Sequence, residues 1–367
     1  MDIGLLRPGE EQACLEIHNR LRRDRRSLAQ WRWEFIENTY GKAPTPFVCA
    51  RDGGRIIGTQ AFIPIQMIDK VGVYWTAKSE ATLIDFKYWG QHILEKMYEP
   101  LFHYAEEQDF TVIWGFTPAA KAYTQLPFEF PGKTEQLFLP FSSRMITSLV
   151  NKATGGSNSF LRAAAVRAGG SLVAALSSTR TALSSKKLPE GLEIRTMESA
   201  DEQAGSVCER FVDQWGGATI YRDSRYLQWR LFENPYVRSV VKGIYEEDKL
   251  LGWVAFTIGD DGIGYLVDLL VACDTSRYTA GKLVGRLLLE AVLGARNMGA
   301  TGIRSWRVNQ HPFERLVASE AKKIGFYHVK RGYPVVLHNC PAGEKRPSTV
   351  SFDNWYVTRI YTEGALS

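Results

Sequence analysis

A short segment around a single glycine, DFKYWGQHILEKM at residues 85–97, has residue types and spacing suited to binding an anion. Asp85 ends an apolar segment with strand-like character, and helical spacing of apolar residues begins near Ile93, so a strand, a tight loop and a helix are predicted. Successive backbone amides at the N-terminus of such a helix can bind a phosphate. An ordinary strand-to-helix turn fits the same letters, and the loop by itself leaves both interpretations open.

The length and composition favour a globular protein of two domains. The chain has 367 residues, of which 45% are hydrophobic and 23% charged, and its net charge is +5. A chain of this length exceeds one typical core. The mild positive charge is compatible with an anionic ligand but falls short of a nucleic-acid-binding signature, so no nucleic-acid partner is expected.

The positions of cysteine and histidine argue against several kinds of site. The five cysteines lie far apart without a CxxC pair, which favours free thiols in a reducing compartment over a disulfide framework or a zinc site. The six histidines lack metal-ligand spacing, and neither a G-x-S-x-G elbow nor a G-x-x-x-x-G-K-[ST] loop is present. From the spacing of these residues we expect no metal site. Because no secretory signal and no bilayer-length apolar run is present, we expect a cytoplasmic protein.

Matching segments predict that one domain is duplicated. The pairs are WEFIEN (33–38) with WRLFEN (229–234), RIIGTQAF (55–62) with KLLGWVAF (249–256), and QLPF (125–128) with KIGF (323–326). They occur in the same order at a nearly constant offset, which is too long for a solenoid repeat. We therefore predict an N-terminal domain over 1–150 and a C-terminal domain over 189–367.

Each copy has the same predicted order of elements. A strand and helical segments precede a two-strand hairpin, another strand leads into a crossover helix, and an apolar strand, a short helix and closing strands follow, near 134–150 in the first copy. The predicted fold class is α+β, with two tandem domains that each have a central mixed sheet flanked by helices. Residues 151–188, with six basic and no acidic residues, are predicted to form a basic helical linker. Weak contact with an anionic membrane surface is a further role open to this segment.

The order of elements and the loop residues together resemble the GCN5-related N-acetyltransferase (GNAT) superfamily, present here in tandem. In that family a strand leads into a Q/R-x-x-G-x-G/A loop, whose amides hold the pyrophosphate of coenzyme A. The residues on this frame, with the first residue of the helix, are Lys87, Tyr88, Trp89, Gly90, Gln91, His92 and Ile93. The resemblance implies that they bind acetyl-CoA or another acyl-CoA. His92 stands where glycine or alanine belongs, and its side chain is expected to crowd a phosphate.

The resemblance also implies catalytic residues. The family's Tyr-x-x-x-Gly-Phe pattern, whose tyrosine protonates the departing thiolate of coenzyme A, is matched by YTQLPF from Tyr123, with Pro127 in place of glycine. A phenol with a pKa of about 10 can donate a proton at neutral pH, while core packing is the alternative role of Tyr123. Glu80 and Asp85 are candidates to accept the amine proton. Alternation sends them to opposite faces, and we prefer Glu80 because Asp85 can cap the loop. A solvated carboxylate is the alternative for either acid.

The second copy departs further from the family pattern. Its crossover, CDTSRYTAGKLVGRLLLE (273–290), lacks the loop spacing, and Ala321 stands where the tyrosine is expected. We therefore predict that the second domain performs no chemistry and shapes the acceptor site. The substrate-binding candidates there are Trp229, Trp253, Trp306 and His311, for which core packing is the alternative role.

The tandem architecture is similar to that of bacterial N-acyltransferases that act on nucleotide-linked amino sugars in surface-polysaccharide assembly. This resemblance implies transfer of an acyl group from acyl-CoA to the amine of a small-molecule acceptor, such as a nucleotide sugar. Two alternatives stay open. One is an aminoacyl transferase that takes its donor from charged tRNA, for which a broader basic face is expected, and the other is a non-catalytic binding protein with decayed coenzyme A loops.

Overall fold

The two copies fold into two mixed β-sheets with helices on their faces. The computed structural model describes residues 1–22, 24–38, 44–143, 145–146, 170, 179, 181, 187–273, 279–308, 311–330, 332–345 and 351–362. The predicted linker over 151–188, and with it the membrane-surface contact, therefore lies almost entirely outside the described residues. Among the helices in these ranges, none has the length and apolar content needed to cross a bilayer.

The first half follows the predicted order of elements. They are β1 (Asp2–Leu5), α1 (Glu11–Leu21), α2 (Leu28–Phe35), β2 (Phe47–Asp52), β3 (Arg55–Asp69), β4 (Gly72–Ile84), α3 (Ile93–Glu107), β5 (Val112–Phe116), α4 (Ala120–Tyr123), β6 (Glu129–Lys133) and β7 (Glu135–Pro140). Local sequence accounts for several boundaries. Ser27 and Gln30 form a capping box before α2, and two glycines with positive φ, Gly53 and Gly54, make the turn between β2 and β3.

The second half repeats the order. Its elements are β8 (Leu192–Met197), α5 (Ala204–Trp215), β9 (Thr219–Ile220), α6 (Ser224–Leu227), β10 (Val240–Glu246), β11 (Lys249–Ile258), β12 (Gly264–Val271), α7 (Ala280–Asn297), β13 (Gly302–Arg307), α8 (Pro312–Ile324), β14 (Tyr327–Val329) and β15 (Pro334–Asn339). A single π-helical turn, Gln228–Phe232, follows α6. A short 3-10 turn, Arg359–Tyr361, lies near the end of the described chain.

The two halves exchange one strand. The first sheet has the order β1-β2-β3-β4-β5-β15-β6, with β9 paired to β3, and the second has the order β14-β7-β13-β12-β11-β10-β8. The expectation that the strands near 134–150 close the first copy is therefore wrong for β7, which pairs with β13 and β14. β15 takes the equivalent place beside β5. The predicted division at residues 150 and 189 stays a prediction, but each sheet draws strands from both sides of it.

Two apolar cores lie on opposite faces of the first sheet. The α3 core includes Met97 of α3, Phe62 of β3 and Ile113 of β5. The shared core includes Ile63 of β3 and Trp114 of β5, and it continues through α1 into most of the second half. Neighbouring strand residues thus alternate between the two cores, as strand geometry requires. The face of the first sheet opposite α3 is consequently covered by α1, α2 and the second half of the chain.

Matching residues of the two copies meet in the shared core. Trp33 and Trp229, the first residues of the WEFIEN and WRLFEN segments, stack with ring centroids 4.9 Å apart. Glu34, next to Trp33, accepts hydrogen bonds from Arg26 at 2.9 Å and from the Tyr236 hydroxyl at 3.0 Å. The duplicated segments therefore form part of the interface between the halves.

Candidate active site

A cleft opens where β4 and β5 diverge. The two parallel strands are paired only at Ala77 with Ile113 and at Lys78 with Trp114. Beyond these pairs the gap between the strands has a volume of about 440 Å³. The residues that line it are Leu21, Arg22, Ser79, Glu80, Ala81, Thr82, Leu83, Ile84, Phe86, Trp89, Leu94, Phe116, Thr117, Pro118, Ala119, Ala122 and Tyr123.

A bulge in β4 lies along this cleft. Glu80 is opposite Ala61 of β3 and Leu83 is opposite Thr59, so two residues of β4 face a single residue of β3. Ala81, inside the bulge, has a left-handed φ of 55°. Bulges bend a strand and redirect its side chains, and they are common beside active sites. Here the bulge lies on the stretch of β4 that lines the cleft.

The two sides of the cleft differ in chemistry. Ser79 faces the α3 core, where its hydroxyl lies 2.6 Å from the hydroxyl of Tyr98. Its neighbours Lys78 and Glu80 point to the other face, toward the shared core, and form an ion pair with each other. Hydroxyl groups therefore line the α3 side of the cleft, and a carboxylate lies on the opposite side.

Five side chains on the α3 side form a closed ring of hydrogen bonds. Gln60 Nε2 donates to Ser79 Oγ at 3.0 Å, and Thr82 Oγ1 donates to Gln60 Oε1 at 2.5 Å. Tyr98 donates to the Tyr123 oxygen at 3.0 Å, and the Tyr123 and Thr82 hydroxyls lie 2.8 Å apart. Each hydroxyl has one proton to donate. Every member of the ring is therefore hydrogen-bonded when all five bonds run in the same direction, with Ser79 donating to Tyr98 and Tyr123 donating to Thr82.

Tyr123 combines burial with a place on the cleft wall. Its side chain is 4% exposed, and burial raises its pKa above the usual value. A phenol in this state is protonated at neutral pH and suited to donating a proton. The ring around it belongs to no sequence motif. The signal for it in the sequence was limited to the polar residues Gln60 on β3 and Ser79 and Thr82 on β4.

The two candidate acids have different surroundings. Glu80 lines the cleft, as the preferred base must. Asp85 is absent from the cleft wall and is buried. It accepts hydrogen bonds from the amide of Lys87 at 3.2 Å and from the guanidinium groups of Arg20 at 3.0 Å and Arg55 at 3.5 Å. Its position is that of a loop-capping residue, the alternative that the sequence left open.

The loop after β4 presents amide groups beside the cleft. Gly90 and His92 are left-handed, with φ of 79° and 56°. Within the described residues the amides at positions 90–94 donate to no acceptor, so consecutive N–H groups are available where α3 begins. Such a run of amides at a helix N-terminus forms an anion-binding concavity.

The side chains of this loop are largely turned to solvent. His92 is 75% exposed and its Nδ1 lies 2.9 Å from Glu95 Oε1, so its imidazole is directed along the first turn of α3. Trp89 is 73% exposed and lines the cleft, with its indole N–H donating to the carbonyl of Ile84 at 3.2 Å. Tyr88 donates to Asp52 at 2.8 Å. Lys87 and Gln91 are exposed, which leaves the lysine charge available beside the amides.

The four substrate-binding candidates of the second half lie in the core. Trp253 is fully buried and donates to Asp268 at 2.9 Å. His311 caps α8, with Nδ1 accepting from the amide of Phe313. Trp229 stacks on Trp33, and Trp306 packs against Phe116 at 4.9 Å. Core packing, the alternative role in the sequence, describes their placement.

The corresponding cleft of the second half is filled by the end of the described chain. β12 and β13 are also paired at only two positions before they diverge. Thr358 Oγ1 donates to Asp268 at 2.7 Å, and the Tyr356 hydroxyl donates to the Leu269 carbonyl at 2.6 Å. Asp268 also forms a wholly buried ion pair with Arg222 at 2.9 Å. These groups occupy the wedge between the described parts of β12 and β13, whereas the matching gap between β4 and β5 is open. In the described ranges no three His, Cys, Asp or Glu side chains come together as metal ligands.

Comparison with solved structures identifies the fold. The Saccharomyces cerevisiae N-myristoyltransferase with bound myristoyl-CoA is 11% identical, with a TM-score of 0.61 over 92% of this chain and 82% of that chain. A GCN5-related N-acetyltransferase from Anabaena variabilis is 12% identical, with a TM-score of 0.58 over 92% of this chain and 72% of that one. A tandem GNAT protein from the clavulanic acid biosynthesis pathway is 11% identical, with a TM-score of 0.51 over 92% and 98%.

No protein-family model and no curated protein matches the chain. The likeness to solved structures confirms the predicted fold class, an α+β fold with two mixed sheets that matches tandem GNAT and N-myristoyltransferase structures. At this level of identity the likeness shows the fold alone.

Proposed function

We propose that this chain is an acyl-CoA-dependent N-acyltransferase with one catalytic centre, the cleft between β4 and β5. The observation that carries the proposal is the pair of proton-transfer groups on its two sides, Tyr123 toward the α3 core and Glu80 toward the shared core. The unpaired amides at positions 90–94 lie at one end of the same cleft.

The residues around the cleft fit acyl-CoA in two respects. The amides at 90–94 and the exposed Lys87 supply donors and positive charge for a pyrophosphate. The volume of about 440 Å³ lies in the usual range for a small-molecule site. When bound, acyl-CoA would supply the acyl group as an activated thioester.

Glu80 and Tyr123 would carry the two proton transfers. Glu80 accepts a proton from the acceptor's ammonium group, directly or through water, so that the neutral amine can attack the thioester carbonyl. Tyr123 would donate its phenolic proton to the departing sulfur as the carbon–sulfur bond breaks, and the second proton that the nitrogen loses as the amide forms would return to the Tyr123 oxygen. The hydroxyl of Tyr98 donates to the Tyr123 oxygen and can stabilise its negative charge. Lys78 holds the Glu80 carboxylate in position through their ion pair.

We propose further that the acceptor is an amine on a small anionic molecule, with a nucleotide-linked amino sugar as the candidate. Support comes from the tandem architecture and the net charge of +5. The acceptor approaches from the Glu80 side, since this carboxylate must reach the amine.

Calorimetric titration with acetyl-CoA and with free coenzyme A tests the donor. We expect saturable binding with a dissociation constant below about 100 µM, which corresponds to about −5.5 kcal/mol. Absence of heat and saturation with both ligands would overturn the acyl-CoA proposal and leave the tRNA-dependent and non-catalytic alternatives.

The variant Tyr123→Phe tests the chemistry. With an acceptor found by screening amino-sugar nucleotides for release of free thiol, we expect kcat to fall by about 10²- to 10⁴-fold, the usual contribution of a general acid. Coenzyme A affinity should change by less than about twofold, because the ring of Tyr123 is retained. Tyr104→Phe is the matched control, since Tyr104 lies on α3 with a buried hydroxyl outside the hydrogen-bonded ring. An unchanged kcat in Tyr123→Phe would exclude the proton-donor role.

A further inference from the structure

A buried arginine that pairs with no acid among the described residues lies in the wedge between β12 and β13. Arg359 is 4% exposed, and its guanidinium carbon lies 4.8 Å from the ring centroid of Tyr265 and 5.2 Å from that of Trp306. Its Nε is fully buried and has no hydrogen-bond partner. Among the described residues no carboxylate forms an ion pair with Arg359. The other wholly buried arginine of this wedge, Arg222, is by contrast paired with Asp268.

A second arginine lies beside it. Arg304 on β13 is two residues from Trp306 and so points to the same face of the strand. Its Nε is also buried without a hydrogen-bond partner, and within the described chain its guanidinium forms no ion pair. The positive charge of Arg304 acts on Arg359 and adds to the effect of burial, which lowers the pKa of Arg359 to about 10.

The neighbouring groups neutralise this pair only in part. Asp261 is the acid whose charge acts on Arg359, but its carboxylate accepts the Tyr265 hydroxyl at 2.8 Å and the amide of Ile263 at 3.1 Å. The aromatic rings offer cation–π attraction, which is weaker than a hydrogen-bonded counter-ion at a buried site. Buried charges in proteins are normally paired. Within the part of the chain that the structure describes, the arrangement therefore lacks a dedicated counter-ion.

The arginine pair lies behind Trp306, which contacts the wall of the cleft on the Glu80 side. Trp306, on which Arg359 stacks, contacts Phe116 of the cleft wall with ring centroids 4.9 Å apart. Pro334 accepts a hydrogen bond from the amide of Thr117, another cleft residue, at 3.0 Å. The same C-terminal turn contributes Tyr361, which packs on Trp114 in the shared core. The pair and Glu80 thus lie on one face of the first sheet, and Tyr123 lies on the other.

We propose that Arg359 and Arg304 bind an anionic group of the acceptor, a phosphate or a carboxylate, and so hold its amine toward Glu80. This inference rests on the proposed N-acyltransferase function and adds the acceptor's charge to it. A guanidinium group presents two parallel donors that suit either anion. The second copy would then help to bind the acceptor through the wedge between β12 and β13, and it would not bind a second cofactor.

Titration with inorganic pyrophosphate and, separately, with glutarate tests the pair. Each titration is run with and without saturating coenzyme A, because coenzyme A would occupy the amides at 90–94. The variants are Arg304→Gln and Arg359→Gln, with Arg315→Gln on the exposed face of α8 as the control. We expect one of the two anions to bind the native protein and Arg315→Gln in the presence of coenzyme A, and its affinity to fall at least tenfold in Arg304→Gln. The anion that binds identifies the acceptor group as phosphate or carboxylate.

The outcomes separate this inference from the proposed function. The arginine site is refuted if coenzyme A binds but Arg304→Gln and the native protein have equal affinity for both anions. It is also refuted if neither anion binds. Failure of coenzyme A to bind, with anion binding still dependent on Arg304, supports the anion site and refutes the acyltransferase. Arg304 is half-buried, so this variant keeps the test informative if Arg359→Gln does not fold.

Discussion

A buried glutamate in the second half should make the protein less stable as the pH rises. Glu314 lies in the first turn of α8, is 2% exposed and has an Oε1 atom without a hydrogen-bond partner. Burial raises its pKa from 4.5 to about 8, against the opposing effect of the nearby charge of Arg307. In the folded protein the carboxyl group is therefore neutral below about pH 8.

The sign of the pH dependence follows from this shift. The folded state binds the proton more tightly than the unfolded state, so the contribution of Glu314 to stability is complete below pH 4.5 and is lost as the pH rises to about 8. One proton of difference changes the free energy of unfolding by about 1.4 kcal/mol per pH unit. Across the whole window the loss amounts to about 4 kcal/mol.

The substitution Glu314→Gln removes this titration while it keeps the shape of the side chain. We expect the variant and the native protein to differ little at pH 5, and the variant to be more stable by about 3 to 4 kcal/mol at pH 8. Denaturant unfolding followed by tryptophan fluorescence at several pH values measures the difference. A single transition is expected because the two sheets exchange strands. Glu198→Gln, at an exposed position, is the control, and a stability difference for Glu314→Gln that does not grow with pH would refute the reasoning.

Two further predictions concern the cleft. Tyr98→Phe removes a donor to the Tyr123 oxygen, so we expect kcat to fall by about tenfold and the alkaline limb of its pH profile to move to higher pH, as measured by thiol release. An unshifted limb would contradict the role of Tyr98, and Tyr104→Phe should leave both unchanged. His92 has a left-handed backbone, so His92→Gly should be about 1 kcal/mol more stable than His92→Ala in denaturant unfolding. Equal stability would contradict this strain.

The sequence predicted the order of elements because each element has its own periodicity. The hairpin at Gly53 and Gly54, the crossover loop and the duplication are all local or repeated signals, and the structure follows them. The exchange of β7 and β15 is different, since a strand's alternation specifies its faces but not its neighbours. The proximity of Cys14 and Cys49, whose buried sulfurs lie 3.5 Å apart, was likewise not predictable, because the two residues are far apart in the sequence.

Part of the candidate site could be proposed from the sequence, and part depends on geometry alone. Tyr123, chosen from a motif, and Glu80, chosen from its position on a strand, line the same cleft, while their catalytic roles stay predictions. For Asp85 the sequence could not show that Arg20 and Arg55 converge on its carboxylate from distant segments. The ring through Gln60 and Tyr98 was missed for the same reason, because its members come from three separate elements.

The two copies show how one duplicated cleft can stay open while the other closes. Glu80 lies opposite Ala61, and Asp268 lies opposite the matching Ala255, so both copies have an acid at this position. In the first copy its ion-pair partner is Lys78 on the same strand, which leaves the carboxylate at the cleft. In the second copy the partner is Arg222, from a segment that crosses the wedge, and Thr358 covers the remaining oxygen. Asp268 therefore accepts hydrogen bonds from Arg222, Trp253 and Thr358 while fully buried, so it acts as a structural counter-ion and does not present a carboxylate to a cleft as Glu80 does.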